Sequence, residues 1–314
     1  MNKSELLSTT KNSLRLRGIS ARTEEAYAHW VERFISFLPT DESDDITDEH
    51  VRDFLFYLYD HDHVSAATRN LALSAVRYLF ERILKKDLKT VKRINTERPA
   101  ITIFSDDDIR LIFEEFNDVQ RLIAEILLIT GIKLMECITL RVHDIDLPNK
   151  KLIVRDNRGF KIRETELTDD LTTKLEKHLK HVYKIYQQDL KDGFGRVYLP
   201  FVILMRNPKA EIMWEWQYVF PASRRVKDSK SGLERRHFLS ETVIQRALKM
   251  AVKKLNIDKP LNCHSFRHTY AVHKLRSGLT IQDVQKLLGH KDIRNTMVYA
   301  NFSLTPDDAP THSN

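Results

Sequence analysis

Apolar residues recur at helical spacing along most of this chain, and that periodicity constrains the fold more than any other feature. In TEEAYAHWVERFISFL, Tyr27, Trp30, Val31, Phe34 and Leu38 share one face, Thr23 is placed to cap, and Glu24 and Glu25 fall in the first turn. TDEHVRDFLFYLYD repeats the arrangement, with Thr47 as cap and Val51, Phe54, Leu55 and Leu58 as the stripe. SAATRNLALSAVRYLFERIL gives Ser65, then Leu71, Ala75, Val76, Leu79 and Ile83. With a first helix that Gly18 closes, these form a small four-helix bundle whose core takes most of the aromatics. KKDLKTVKRINTERPA is polar, basic and ended by Pro99, and reads as a linker. A chain of 314 residues exceeds one ordinary core, so a second domain is expected after it.

That domain opens with SDDDIRLIFEEF, where Ser105 caps and three aspartates favour the helix N-terminus. RLIAEILLITG continues as a buried helix that Gly131 can end. KLIVRDNRGFKIRETEL alternates like two strands around Asp156–Gly159, a hairpin signal. Helical patterns return in LTDDLTTKLEKHLKHVYKIY, SETVIQRALKMAVKKL, HSFRHTYAVHKLRSG and TIQDVQKLLG. The expected class is mainly α with a small antiparallel β-sheet. The expected division is 1–88 for the helical domain, 89–100 for the linker, 101–303 for the second domain and 304–314 for a polar tail. One stretch, IMWEWQYVFPASRRVKDSKSGLERRH, breaks the helical rhythm. It sets Trp214, Trp216, Tyr218 and Phe220 at alternate positions, so an extended segment would show all four on one face. Packing accounts for such a row; aromatics beside Arg/Lys clusters are also what stacking on unpaired bases needs.

Lysine and arginine number 51 against 44 acidic residues, a net charge of +7 that favours a polyanionic partner, nucleic acid foremost. Arg69, Arg77, Arg224, Arg225, Arg235 and Arg236 are candidate phosphate contacts, with a solvated basic face as the alternative for each. The two cysteines, Cys137 and Cys263, have no CxxC spacing, which fits a reducing compartment and argues against a disulfide framework or a zinc site. The start, MNKSELLSTTKNSLRLRG, lacks the apolar core of a signal peptide. LIAEILLITGI is too short to span a bilayer and carries Glu125. A cytoplasmic protein without a membrane partner is expected.

Breaking a phosphodiester without a metal takes a nucleophile, cations on the non-bridging oxygens and a proton donor for the leaving oxygen. CHSFRHTY offers His264 and Arg267 three apart on one helical face. LLGHKDIRNTMVYA follows, with His290 after Gly289 and Tyr299 nine residues later. The set holds a nucleophile candidate, a phosphate fork and two imidazoles. No acidic cluster accompanies it, so a metal-dependent nuclease is poorly supported. Singly, each residue has a plain reading: a surface or core tyrosine, or satisfied polar histidines such as His264 and His268.

HSFRHTYAVHKLRSGLTIQDVQKLLGHKDIRNTMVYA resembles the catalytic C-terminal box of the tyrosine recombinases, the phage-integrase superfamily. TGIKLMECITLRVHDIDL resembles their first catalytic box, and the N-terminal bundle is similar to their core-binding domain. WEWQYVFPAS with LERRHFLSETVIQRA resembles the extra segment of integron integrases, here an insert near 190–238. The resemblance implies a two-domain C-shaped DNA clamp. It implies Tyr299 as nucleophile forming a 3′-phosphotyrosyl link, Arg267 on the equatorial oxygens, and His264 and His290 orienting the phosphate and assisting proton transfer. It implies DNA as partner, both a duplex attachment site and a folded single-stranded cassette site, a homotetramer on that DNA, and no cofactor, neither ATP nor metal.

Two positions depart from the family pattern. The first box normally reads Gly-Leu-Arg-x-x-Glu, and in GIKLME Lys133 stands at the arginine. The hairpin normally carries a lysine in a Gly-Lys-Gly-type turn, and in DNRG Arg158 stands there. Lysine lacks the planar fork that grips two oxygens, and arginine is a poor proton donor. Strand cleavage is therefore expected to be reduced, with Lys161 as an alternative donor and a DNA-binding protein without useful catalysis as the competing reading. By motif, Trp216 and His237 fall where integron integrases receive bulged bases. A tryptophan the family can carry is Arg155 here, and a proline is Ser229.

Overall fold

The computed structural model describes residues 1–17, 19, 21–96, 100–156, 159–227 and 232–302. Two compact units divide the chain, Met1–Pro99 and Ala100–Asn314. The first contains α1 (Lys3–Leu16), α2 (Ala21–Phe37), α3 (Asp48–Asp60) and α4 (Ala66–Tyr78), which runs on as a π-helical turn over Leu79–Leu84. Trp30, Val31, Phe34, Val51, Phe54, Leu58, Val76 and Leu79 fill its core, so the stripes read on α2 and α3 do face inward. Helix α2 starts at Ala21, which puts Thr23 inside the first turn and not at the cap. Gly18 lies outside the described residues.

The stripe on α4 holds at Ala75, Val76 and Leu79, which are buried, and departs at its first position. Leu71 is 38% exposed, while Asn70 and Leu73 are buried. Asn70 turns inward because its amide clamps a distant backbone: Nδ2 donates to the Ile94 carbonyl (2.8 Å) and Oδ1 accepts from the Ile94 N–H (2.9 Å). Arg77 donates to the carbonyls of Leu88 (3.0 Å) and Val91 (2.9 Å), and both of those side chains are buried. The first half of the basic stretch after α4 is thus tied onto the bundle.

The second unit runs through α5 (Asp106–Glu115), α6 (Asp118–Thr130), α7 (Leu134–Ile138), β1 (Ile145–Asp146), β2 (Lys151–Arg155), β3 (Lys161–Glu166) and α8 (Asp169–Lys191). It continues through α9 (Phe201–Arg206), β4 (Val226–Lys227), β5 (Glu234–Arg235), α10 (Glu241–Lys254), α11 (Cys263–Arg276), α12 (Ile281–Leu288) and α13 (Arg294–Met297). Strands β1, β2 and β3 form one antiparallel sheet and β4 and β5 a second, so the molecule is mainly helical with small antiparallel sheets, as its patterning predicts. In the β2–β3 hairpin Leu152 pairs with Thr165 and Val154 with Arg163, and the register shifts between Val154 and Arg155. Helices α6 and α11 cross the main core, with Ile123, Ile126, Leu152, Leu171, Leu248 and Phe266 around them. A second cluster gathers Tyr270, Val272, Leu275, Val284, Leu288 and Tyr299.

Residues 197–218 carry a small core of their own, built on Val197, Leu199, Ala210 and Tyr218. The aromatic row there is not an extended face. Trp214–Trp216 forms a 3-10 turn, which destroys the period of two. Trp214 packs on Tyr183 and Tyr186 of α8 (ring centroids 4.9 and 5.4 Å), Trp216 on His143 (4.3 Å), Tyr218 under Arg141 (3.5 Å) and Phe220 against His178 (5.1 Å). Arg225 and Arg236 both converge on Asp189 at the end of α8, at 3.0 and 2.6 Å, and so anchor β4 and β5. These two arginines and Arg77 are engaged within the fold.

Candidate active site

Helices α6 and α12 both end at a glycine in the left-handed region, Gly131 (φ +64°) and Gly289 (φ +67°). A helix C-terminus leaves carbonyls without partners and carries partial negative charge. Arg267 of α11 satisfies both ends at once, Nη1 donating to Gly131 O (2.6 Å) and Nη2 to Leu288 O (2.7 Å). Two rigid helix ends therefore set the plane of its guanidinium. A Cβ on Gly131 would lie 2.3 Å from Tyr270 Cδ1, so only glycine allows this approach. Burial lowers the Arg267 pKa to about 10, against the pull of Glu136, and the group stays cationic at neutral pH.

His264 lies one turn earlier on α11, whose N-terminus Asn262 caps by accepting from the His264 N–H (2.8 Å). Its ring stacks with His268 at 6.0 Å. Lys133 precedes α7, and its half-exposed side chain lines a groove of about 640 Å³ together with Gln245, Lys249, His264 and Arg267. His290 follows Gly289, with its N–H on Gln285 O (3.1 Å) and Nδ1 on Thr296 Oγ1 (2.9 Å). Burial, then the charges of Arg267, Lys133 and Arg163, lower its pKa to about 4.

Tyr299 sits just past α13, in a turn and not on a helix, and is 3% exposed. Its hydroxyl is 2.8 Å from Nδ1 of His268. Burial raises the phenol pKa while Arg267 opposes the rise, so ionisation needs an acceptor, and neutral His268 stands in hydrogen-bond contact. His264, His290 and Tyr299 thus all lie close enough to Arg267 to feel its charge, and the two histidines that of Lys133 as well, which makes one basic site. It suits an oxyanion flanked by a phenol.

Three further groups complete it. Glu136 accepts from Lys133 N–H (2.9 Å) and from Arg163 Nη2 (2.7 Å), and its pKa is lowered by Arg163 foremost, against burial. Arg163 reaches in from β3, and nothing in its local sequence marks it; its partner is 27 residues away. His268 is the third; its spacing of four from His264 was the available signal. Arg158 lies outside the described residues. Lys161 donates to Glu164 (2.6 Å), a carboxylate shared with Lys151 and held down to about 2 by both.

Trp216 lines a second cavity of about 200 Å³ with Arg141, His143, Asp144, Arg155 and Tyr198, and Glu136 belongs to its wall as well. Among the described residues His237 is not part of that lining; its carbonyl accepts from Ala222 N–H (2.7 Å). Arg155 is engaged by Asp144 (2.5 Å) and Gly159 O (3.1 Å). Ser229 lies outside the described residues.

His268 and His290 both have pKa values of about 4, below the unfolded value near 6.5, chiefly through burial. Between those limits the unfolded chain binds protons that the native site refuses, so stability falls as pH drops from about 6.5 to about 4. The melting temperature of the protein is expected to decline by several degrees from pH 7 to pH 5, and a His290→Gln variant to decline less. Equal slopes would mean that His290 does not contribute.

Residues 103–304 match the family model described as "Phage integrase family", and residues 6–90 match "Phage integrase, N-terminal SAM-like domain". The chain belongs to the phage integrase family, the tyrosine recombinases, which are site-specific DNA recombinases. An "Integrase/recombinase" of Escherichia coli is 33% identical over 300 residues, 95% of this chain and 89% of its own length. The tyrosine recombinase XerD of Listeria monocytogenes serovar 1/2a is 25% identical over 304 residues, 91% of this chain and 90% of its own. The fold is shared with a lambda integrase(75-356) dimer bound to a COC' core site (TM-score 0.65, 17% identity, 93% of this chain and 96% of that one). Among the described residues no helix is long and apolar enough to cross a membrane.

Proposed function

We propose that this chain breaks and rejoins DNA through Tyr299, and that its substrates are integron attachment sites and folded single-stranded cassette sites. The phenol oxygen attacks the scissile phosphorus, the P–O5′ bond breaks, and the 5′ oxygen leaves with a proton. The 3′-phosphotyrosyl ester keeps the bond energy, so attack by a 5′-hydroxyl reverses the step without ATP or metal. Arg267 donates to the equatorial oxygens, His264 and His290 orient the phosphate and relay protons, and Lys133 adds charge from the groove. The observation that carries this reading is the position of the Tyr299 hydroxyl, 2.8 Å from His268 on the helix that also bears His264 and Arg267. The integron assignment is supported by the insert with its own core and by the Trp216 cavity. Assembly as a tetramer is supported by the fold it shares with a lambda integrase tetramer bound to a Holliday junction (TM-score 0.65, 17% identity).

Cleavage is slow in this reading. A lysine at position 133 and an arginine at 158 each replace a transition-state donor, and one such loss typically costs roughly 3–4 kcal/mol. The two need not add, since the groups act as a unit. Covalent trapping on nicked duplex and on folded single strands tests both halves. The parent is expected to yield adduct slowly, and Lys133→Arg/Arg158→Lys to yield it about a hundredfold or more faster. Parent rates equal to the double variant would remove the impairment. Adduct on duplex only would remove the cassette substrate. No adduct with either, despite tight binding, would favour a DNA-occupying protein without catalysis.

A further inference from the structure

Lys133 meets a difficulty that its own neighbourhood creates. Its ammonium belongs to a flexible chain, and Glu136 stands three residues on, where helical geometry brings the two together. A carboxylate that captured the ammonium would withdraw it from the groove. Lys133 Nζ is 3.7 Å from Glu136 Oε1, a loose ion pair beyond hydrogen-bond range, and its side chain is still 52% exposed.

Another cation occupies the carboxylate. Arg163 places Nη2 at 2.7 Å from Glu136 Oε2 and Nη1 at 3.5 Å from Oε1, a two-pronged grip by a side chain only 10% exposed. The guanidinium is fixed from the other side by Gly289, where a Cβ would lie 2.8 Å from Nη1 and 3.3 Å from Cδ and Cζ. The remaining acceptor capacity of Oε2 goes to the backbone N–H of Lys133 (2.9 Å). The carboxylate therefore holds the start of α7 by its main chain while its charge is answered from β3.

We propose that Arg163 is a positioning residue for Lys133: by neutralising Glu136 it keeps the ammonium available to a phosphate in the groove. The inference rests on the reading that this groove receives the scissile phosphate. It assigns β3 a part in the site that does not depend on Arg158. It also explains how a point charge can serve where the family carries an arginine. A guanidinium can bind a carboxylate and a phosphate through different edges of one plane, whereas an ammonium drawn onto Glu136 is drawn away from the phosphate.

The test separates availability of Lys133 from strand cleavage. In Arg163→Met the ammonium should close on Glu136, and acylation of Lys133 by acetic anhydride, followed by mass spectrometry, should slow by about two- to fivefold. Covalent adduct formation should fall by about tenfold or more. In Arg163→Met/Glu136→Gln no carboxylate competes, and both readouts should return to the level of Glu136→Gln alone. A merely structural bridge would recover thermal stability in the double variant without having changed the labelling of Lys133. Parental labelling in a folded Arg163→Met protein, or slow labelling that persists in the double variant, overturns the inference. If Arg163→Met loses its fold, Glu136→Gln decides: it must label Lys133 at least as fast as the parent. Labelling needs no catalysis, so a chain that labels as expected but never forms adduct refutes the reaction and not the role of Arg163.

Discussion

A Tyr299→Phe protein is expected to form no covalent complex with a nicked attachment-site duplex, while binding that duplex as the parent does. The substitution removes one oxygen. The ring keeps its place in the cluster with Tyr270, Val284 and Leu288, and the fold loses one hydrogen bond, to His268 Nδ1. Such a bond contributes about 0.5–1.5 kcal/mol, too little to unfold the unit. Chemistry that runs through the phenol oxygen, by contrast, is lost with that oxygen. The measurement is a denaturing gel for adduct beside a mobility-shift titration for binding. Any adduct from the phenylalanine protein at parental yield would place the nucleophile elsewhere.

Replacing Arg267 by lysine is expected to cost both cleavage and stability, and the two losses have separate causes. A lysine ammonium cannot reproduce a fork that reaches Gly131 O and Leu288 O together, so at least one buried carbonyl goes unpaired, at about 1–3 kcal/mol. The phosphate meanwhile loses its planar donor, which lowers the rate by about two to three powers of ten. Thermal melting reads the first loss, and the initial rate of adduct formation reads the second. A lysine variant that melts like the parent and cleaves within threefold of it would show that the helix-end clamp is unnecessary for both. Non-covalent affinity should fall less than the rate, because a transition-state donor acts mainly on the pentacoordinate species.

Much of this was legible from residue order alone. The helix end at Gly131, the antiparallel pairing of β2 with β3 and the inward stripes of α2 and α3 follow from spacings of a few residues. The order His264, Arg267, His290, Tyr299 is likewise visible in the sequence, because each spacing is local to one or two helices. Where a distant partner intervened, local pattern failed. Asn70 displaced Leu71 from the inner face of α4 because Ile94 folds back onto it. Trp214 and Trp216 left the alternating row because a 3-10 turn separates their faces.

Charge shows the same division. Lys/Arg surplus told of a polyanionic partner, yet it could not sort Arg77, Arg225 and Arg236, which hold carbonyls and carboxylates within the fold, from Arg224, which is exposed. Nor did it single out Arg163, whose value lies in a carboxylate 27 residues away. Periodicity, caps and motif order depend on neighbours within about one helical turn, and the chain carries them wherever it is read. An ion pair between β3 and α7, or a guanidinium shared by two helix ends, exists only after register and packing have closed the distance. Tertiary structure alone decided those.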